Sequence, residues 1–296
     1  MSFDLQVNGY LNIDFSSESL NEEDCCYAYR KYLESGADSF LPTIITSPQE
    51  LLKKNLPVMV AAVHAFGDRV PGIHLEGIFI SPLPGAVGAH NPQWTHKPDI
   101  ELFKKIQDWA DGTIKLLTIA AELPGSETFC KQVTEMGVTV SLGHQNASYD
   151  DLCRLRDAGA KSLTHLGNGM PNKVDRHNNP LINGLACEGL TPMIIADGHH
   201  LPEYLVKYII DTKGPENVIV TSDASPLAGM PPGNYDVLGN SVILEENGKL
   251  HNPAKQCLVG SSSTLNDCIN YLSKSGFNNE DILTMTSLNP KKFMCV

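Results

Sequence analysis

Long apolar runs are scarce in this sequence of 296 residues. The main candidate, Leu56 to Phe66, is too short to span a bilayer and contains His64. Positive charge is scarce as well: 22 Lys and Arg stand against 34 Asp and Glu, a formal net charge of −12. That balance excludes nucleic acid and anionic membrane as partners, because both need clustered cations. The opening Met-Ser-Phe-Asp-Leu-Gln enters strand-like sequence with neither a basic n-region nor a long apolar h-region, so a cytoplasmic protein is expected. The eight cysteines are scattered and include no CxxC pair, which argues against a disulfide framework and for buried thiols acting as small hydrophobes. No composition break, low-complexity tract or solenoid repeat divides the chain, and a single domain over residues 1–296 is expected.

What the sequence does have is a period. Short apolar runs recur about every 30 residues, each followed by a helix-length segment. The predicted strands are Phe3–Val7, Phe40–Ile45, Val70–Leu75, Ile114–Ala120, Val138–Gly143, Ser162–Thr164, Met193–Ala196 and Val218–Thr221. The predicted helices include Leu20–Glu34, Gln49–Ala65, Ile100–Trp109, Ser126–Met136, Tyr149–Asp157, Pro202–Lys213, Thr264–Lys274 and Asn279–Phe293. Eight such units predict an α/β fold, the (β/α)8 TIM barrel. A doubly wound sheet is the alternative, but no GxGxxG comes after the first strand. Two stretches break the period. Residues 81–98 are rich in Pro, Gly and His and read as a loop over the barrel mouth. Residues 226–260 carry alternation around Asn247-Gly248, which predicts a hairpin with a two-residue turn.

A barrel of this kind builds its site at the C-terminal strand ends. Those ends present Gln6 and Asn8, then His74 and Glu76, His144, His165, then Asp197, His199 and His200, and finally Asp223. Glu76, His144 and His165 form a one-carboxylate, two-histidine set that suits a divalent ion with an open position, Zn before Fe, Co or Mn. Asp223 then reads as the base that takes a proton from water and returns it to a leaving amine. Each residue also has a plainer role. Glu76 could cap a helix or pair with a lysine, Asp223 could be an N-cap, and single histidines are often satisfied core or rim residues. His64, His96 and His251 read as surface histidines.

At these residues the sequence resembles the N-acetylglucosamine-6-phosphate deacetylase family of amidohydrolases. The resemblance runs through Asp4-Leu-Gln-Val-Asn-Gly9 with Asp14-Phe15, Leu41-Pro-Thr43, Gly72-Ile-His-Leu-Glu-Gly-Ile-Phe79 and Gly88-Ala-His90. It continues through Gly143-His144, Thr164-His165, Asn168-Gly-Met-Pro171, Ala196-Asp-Gly198 with His200, Ser222-Asp-Ala224, Leu258-Val-Gly-Ser261 and Asn289-Pro290. It implies one metal ion per chain on Glu76, His144 and His165, with Asp223 as acid and base and His90 at the acetyl carbonyl. It implies that Asn168, Gly169, Arg176 and His200 hold a sugar phosphate, that Ala89 touches the substrate, and that Leu258, Val259 and Gly260 line the acyl pocket. A homodimer is also implied. The family's β-sandwich is expected to be missing. Within the motifs, Ile78, Ser225 and Gly169 depart from the family's Pro, Met and Ala, which alters the pocket lining. The activity implied is deacetylation of an amino sugar phosphate. The alternatives are an amidohydrolase acting on another amide or cyclic amide, and a catalytically silent sugar-phosphate binding protein. Glu76, His144, His165 and Asp223 together count against the silent protein.

Overall fold

A computed structural model describes residues 2–295. Eight parallel strands form one sheet in sequence order: β1 (Phe3–Val7), β2 (Ser39–Ile45), β3 (Ile73–Glu76), β4 (Ile114–Ile119), β5 (Thr139–Leu142), β6 (Ser162–Leu163), β7 (Thr191–Ile195) and β8 (Ile219–Thr221). The helices α1 (Glu22–Glu34), α2 (Gln49–Phe66), α3 (Ile100–Trp109), α4 (Ser126–Glu135), α5 (Tyr149–Asp157), α6 (Pro180–Ala186), α7 (Glu203–Lys213) and α8 (Leu265–Lys274) complete the β/α alternation. Two short helices, α9 (Asn279–Leu283) and α10 (Asn289–Met294), come next with one π turn between them. The fold is therefore a (β/α)8 barrel. Among the described residues no helix is long and apolar enough to cross a membrane.

Local chemistry explains the helices. Ser148 and Asp151 make a reciprocal capping box at the start of α5, and Thr264 and Asp267 make another at α8. The sequence pattern does not reveal α6, a seven-residue helix too short for a periodic signal. Its start is nonetheless written locally, because Asn179 accepts from the Ile182 amide and Pro180 fills the first turn. Pro202 caps α7 from outside rather than opening its first turn.

The barrel interior is layered. Phe3, Leu5, Leu41, Leu116, Met193 and Ile219 form an apolar plug. Above it lies a hydroxyl and imidazole layer, in which His74 Nε2 sits 2.8 Å from Thr118 Oγ1 and Thr164 Oγ1 lies 2.8 Å from Thr118 and 2.6 Å from Ser141. The seam between β1 and β8 closes through a bridge from Val7 to Ala224 and through the fully buried Asp4. Its carboxylate accepts from Tyr32, from the Thr221 hydroxyl at 2.6 Å and from the Ser222 amide at 3.1 Å.

The 226–260 stretch forms a four-stranded antiparallel sheet, β9 (Gly233–Val237), β10 (Asn240–Leu244), β11 (Leu250–Asn252) and β12 (Cys257–Leu258). The expected two-residue turn at Asn247-Gly248 is not what forms. Glu245 pairs with Lys249 across a three-residue loop, with only Gly248 at positive φ. The two-residue turn falls instead at Leu238-Gly239, both at positive φ, between β9 and β10. Among the described residues the other antiparallel pairing is a short hairpin, Gly9–Tyr10 with Ile13–Asp14, and no two-sheet sandwich stands beside the barrel.

Candidate functional site

Four of the site residues stand at or just beyond strand ends. Glu76 is the last residue of β3, and His144, His165 and Asp223 each lie two residues past β5, β6 and β8. Those three share a backbone feature: φ is +50° at His144, +31° at His165 and +52° at Asp223, a left-handed conformation that non-glycine residues seldom hold. The turn out of each strand thus bends the side chain back over the barrel axis. Glycines leave room for the rings. A Cβ at Gly169 would stand 2.9 Å from His144 Nδ1, and one at Gly88 would stand 3.1 Å from His144 Cε1.

The donors converge. Glu76 Oε1 lies 2.8 Å from His165 Nε2 and 3.2 Å from His144 Nε2. His144 Nε2 is in turn 3.1 Å from His165 Nε2 and 3.2 Å from His90 Nε2. His144 Nδ1 donates to the Ala86 carbonyl at 2.9 Å, which leaves Nε2 with a lone pair. A lone pair facing two other ring nitrogens and a carboxylate oxygen, all buried, is the electrostatics of a cation site. Ligand atoms of Glu76, His90 and His144 lie within 4.8 Å of one another, a carboxylate and imidazole set that fits a divalent ion but takes His90 where the sequence points to His165. His165 Nε2 itself stands 2.8 Å from Glu76 Oε1 and 3.1 Å from His144 Nε2. Burial alone would raise the Glu76 carboxyl, but hydrogen bonds and charge from His144 and His165 outweigh it and hold it well below its ordinary value. Burial pushes His90 down to about 3, so its ring is neutral.

Asp223 stands beside this cluster. Its Oδ1 accepts from Gln6 Nε2 at 2.8 Å and Asn8 Nδ2 at 2.7 Å. Burial, and then the Glu76 carboxylate, push it up to about 6. Gln6 reaches inward because the register of β1 slips between Asp4 and Val7. The slip turns Gln6 to the same side as Leu5 and sends Val7 to the outer core.

A cavity of about 940 Å³ opens over the cluster. Ala89, Asn168, Gly169, His200, Leu258 and Gly260 line it together with Glu76, His90, His144, His165 and Asp223. His200 is fixed by Asp197, whose Oδ2 lies 2.7 Å from its Nδ1 and also accepts from Ser261 at 2.8 Å. Other residues singled out in the sequence fall elsewhere. Val259 is fully buried in the core of the four-stranded sheet with Leu227 and Val242, because the residues on either side of it take the cavity wall. His74 bonds within the hydroxyl layer, and His199 turns to the Asn247 carbonyl. Arg176 is exposed and outside the cavity lining, on a loop where Asp175 spends its carboxylate on the His177 and Asn178 amides rather than on a salt bridge. The cations on the wall are Lys173 and Lys255. Sequence reasoning missed both. Lys173 had a signal, since it lies two residues past Asn168-Gly-Met-Pro171, but Lys255 becomes a wall residue only through the docking of the small sheet. That docking uses the Ala89 carbonyl, which accepts from Asn240 at 3.1 Å and Lys255 at 3.4 Å.

No protein-family model matches the chain. Individual proteins do. The chain is 30% identical to N-acetylglucosamine-6-phosphate deacetylase of Bos taurus over 304 residues, covering 98% of this chain and 73% of the relative. It is 30% identical to the Bacillus subtilis enzyme of that name, with the same coverages. Among solved structures, a mutant N-acetyl-D-glucosamine-6-phosphate deacetylase from Mycobacterium smegmatis in complex with N-acetyl-D-glucosamine-6-phosphate superposes with a TM-score of 0.89. It is 25% identical and covers 100% of this chain and 77% of its own. The likeness spans the whole barrel from which the convergent cluster is built, and the chain belongs to the N-acetylglucosamine-6-phosphate deacetylase family.

Proposed function

We propose that this protein removes the acetyl group from N-acetylglucosamine-6-phosphate or a close hexosamine isomer, yielding acetate and the amino sugar phosphate. The observation that carries the reading is Asp223, a buried carboxylate standing beside a carboxylate and imidazole set at the barrel mouth. Glu76, His144 and His165 hold one divalent ion, with zinc favoured by the mixed nitrogen and oxygen donors. Such an ion acidifies a water and polarises an amide carbonyl. The remaining steps belong to side chains. Asp223 takes the proton of the attacking water and delivers it to the nitrogen as the carbon–nitrogen bond breaks. Gln6 and Asn8 hold that carboxylate at fixed distances through the transfer. His90 is farther from the carboxylate, 3.7 Å to Glu76 Oε2, and comes from the mouth loop; its neutral ring donates to the carbonyl oxygen as negative charge develops there.

The substrate's phosphate end lies at Asn168, Gly169, His200 and the wall lysines, with Leu258 and Gly260 at the acyl end. The chain acts as one catalytic unit, cytoplasmic and as a homodimer. The deciding experiment is metal analysis of the purified protein combined with acetate release on a panel of N-acetylhexosamines with and without phosphate. Release confined to a different amide would replace this substrate. A loaded protein that binds the sugar phosphate but releases no acetate would make it a binding protein.

A further inference from the structure

Two thiols outside the site lie in contact. Cys153, in the middle of α5 and partly exposed, has its sulfur 3.7 Å from that of Cys187, which ends α6 and is fully buried. Arg156, one turn beyond Cys153, sets its guanidinium 4.0 Å from the Cys187 sulfur and is anchored there by the Glu188 carbonyl at 3.2 Å. A pair of sulfurs at van der Waals contact beside a fixed cation has no role in binding or hydrolysing an amide. We propose that Cys153 and Cys187 form a reversible oxidation site, which a peroxide converts to an intrachain disulfide.

The chemistry starts at Cys153. Burial first, and then the contact with Cys153, push the Cys187 thiol up to about 11, while Cys153 is the thiol open to solvent. The Cys153 thiolate attacks the peroxide oxygen–oxygen bond, giving a sulfenic acid and releasing an alcohol, or water from hydrogen peroxide. The Cys187 sulfur then displaces the hydroxyl from the Cys153 sulfur and loses its proton, so the second product is water. Two electrons pass from the thiol pair to the peroxide. Arg156, itself paired with Asp157 at 2.8 Å, offsets part of the rise in the Cys187 thiol and so favours the thiolate that the second step needs. The new bond would tie α5 to the end of α6, enclosing the β6 exit with His165, Asn168, Gly169 and the Lys173 loop.

The test treats the full metal-loaded chain with a small excess of hydrogen peroxide, then digests it without reduction for mass spectrometry. The expected result is one linked peptide pair containing Cys153 and Cys187, lighter by two hydrogens than the separate peptides and reversed by dithiothreitol. Cys187→Ser should stop the reaction at a Cys153 sulfenic acid that dimedone traps, and Cys153→Ser should leave Cys187 as a free thiol. Cys153 passing directly to sulfinic acid in the unmutated chain would overturn the proposal. So would oxidation of other cysteines while this pair stays reduced. Both readouts are independent of acetate release, so they stand or fall apart from the deacetylase assignment.

Discussion

Gln6 donates through Nε2 to Asp223 Oδ1 at 2.8 Å, and the same nitrogen lies 2.8 Å from Glu76 Oε1. One neutral amide thus bridges the two carboxylates of the site, where a second cation would otherwise relieve their repulsion. Amide nitrogen does not ligate, and a neutral amide oxygen competes poorly with imidazole and carboxylate for a transition metal. About one tightly held ion per chain is expected by elemental analysis after extensive dialysis. Two retained equivalents, both required for turnover, would refute the bridging role.

Ligand and base separate under mutation. His144→Ala removes a ring whose Nε2 faces the cluster, and it should lose the ion itself. Asp223→Asn leaves Glu76, His144 and His165 untouched and should keep the ion. It should lose roughly 10²–10⁴-fold or more in kcat, the usual range for removing a general acid–base group. An ion-free Asp223→Asn protein would make Asp223 a ligand.

The pH profile depends on the same carboxyl. Asp223 acts as a base when ionised, and burial with the Glu76 charge raises it to about 6. Because the pKa is raised, the active form is complete well above pH 6 and falls about tenfold per unit below it. A cation held by the neighbouring set favours the ionised form and moves the limb lower. The acid limb of kcat/KM for the loaded enzyme should therefore lie at or below about pH 6. An acid limb above pH 7 that vanishes in no Asp223 variant would assign it to another group.

Much of this was legible in the sequence because a barrel writes its period openly. Strand, helix and exit residue recur together, so Glu76, His144, His165 and Asp223 stand out as the polar residues at the ends of successive apolar runs. The rest depends on events the period does not encode. A register slip inside β1 turns Gln6 into the barrel, and pure alternation cannot show a slip. Asn247-Gly248 reads as a hairpin turn, yet Glu245 and Lys249 pair first and leave three residues between them. Val259 comes just past the end of β12, and there the chain turns it into the core of the small sheet while Leu258 and Gly260 on either side line the cavity. The wall cation Lys255 comes from a sheet whose docking onto Ala89 no local pattern announces.

The phosphate decides what the cavity is for, and two sets of cations compete to hold it. A dianion in a protein of net charge −12 needs local positive charge. Arg176 has the better chemistry, since its planar guanidinium can take two phosphate oxygens at once. Lys173 and Lys255 have the better position, because they line the cavity and Arg176 does not. His200 joins the lysines on that wall, its ring locked by Asp197 through Nδ1 so that Nε2 is the polar atom left for substrate. Position outweighs chemistry here, since a charge-assisted contact requires a donor within about 3 Å of the phosphate oxygen. Lys173→Ala and Lys255→Ala should each lower kcat/KM on the phosphorylated sugar by about tenfold, the lower end for losing one charge-assisted hydrogen bond from a solvated group. Neither should change the slow reaction of the unphosphorylated sugar. Arg176→Ala should cost less than either lysine on the phosphorylated substrate. If the arginine variant instead carries a loss of about 10²-fold confined to the phosphorylated sugar, the 171–179 loop folds inward on binding and Arg176 is the phosphate residue. Equal losses on both sugars for all three variants would remove phosphate from the assignment and leave the amide alone as the recognised group.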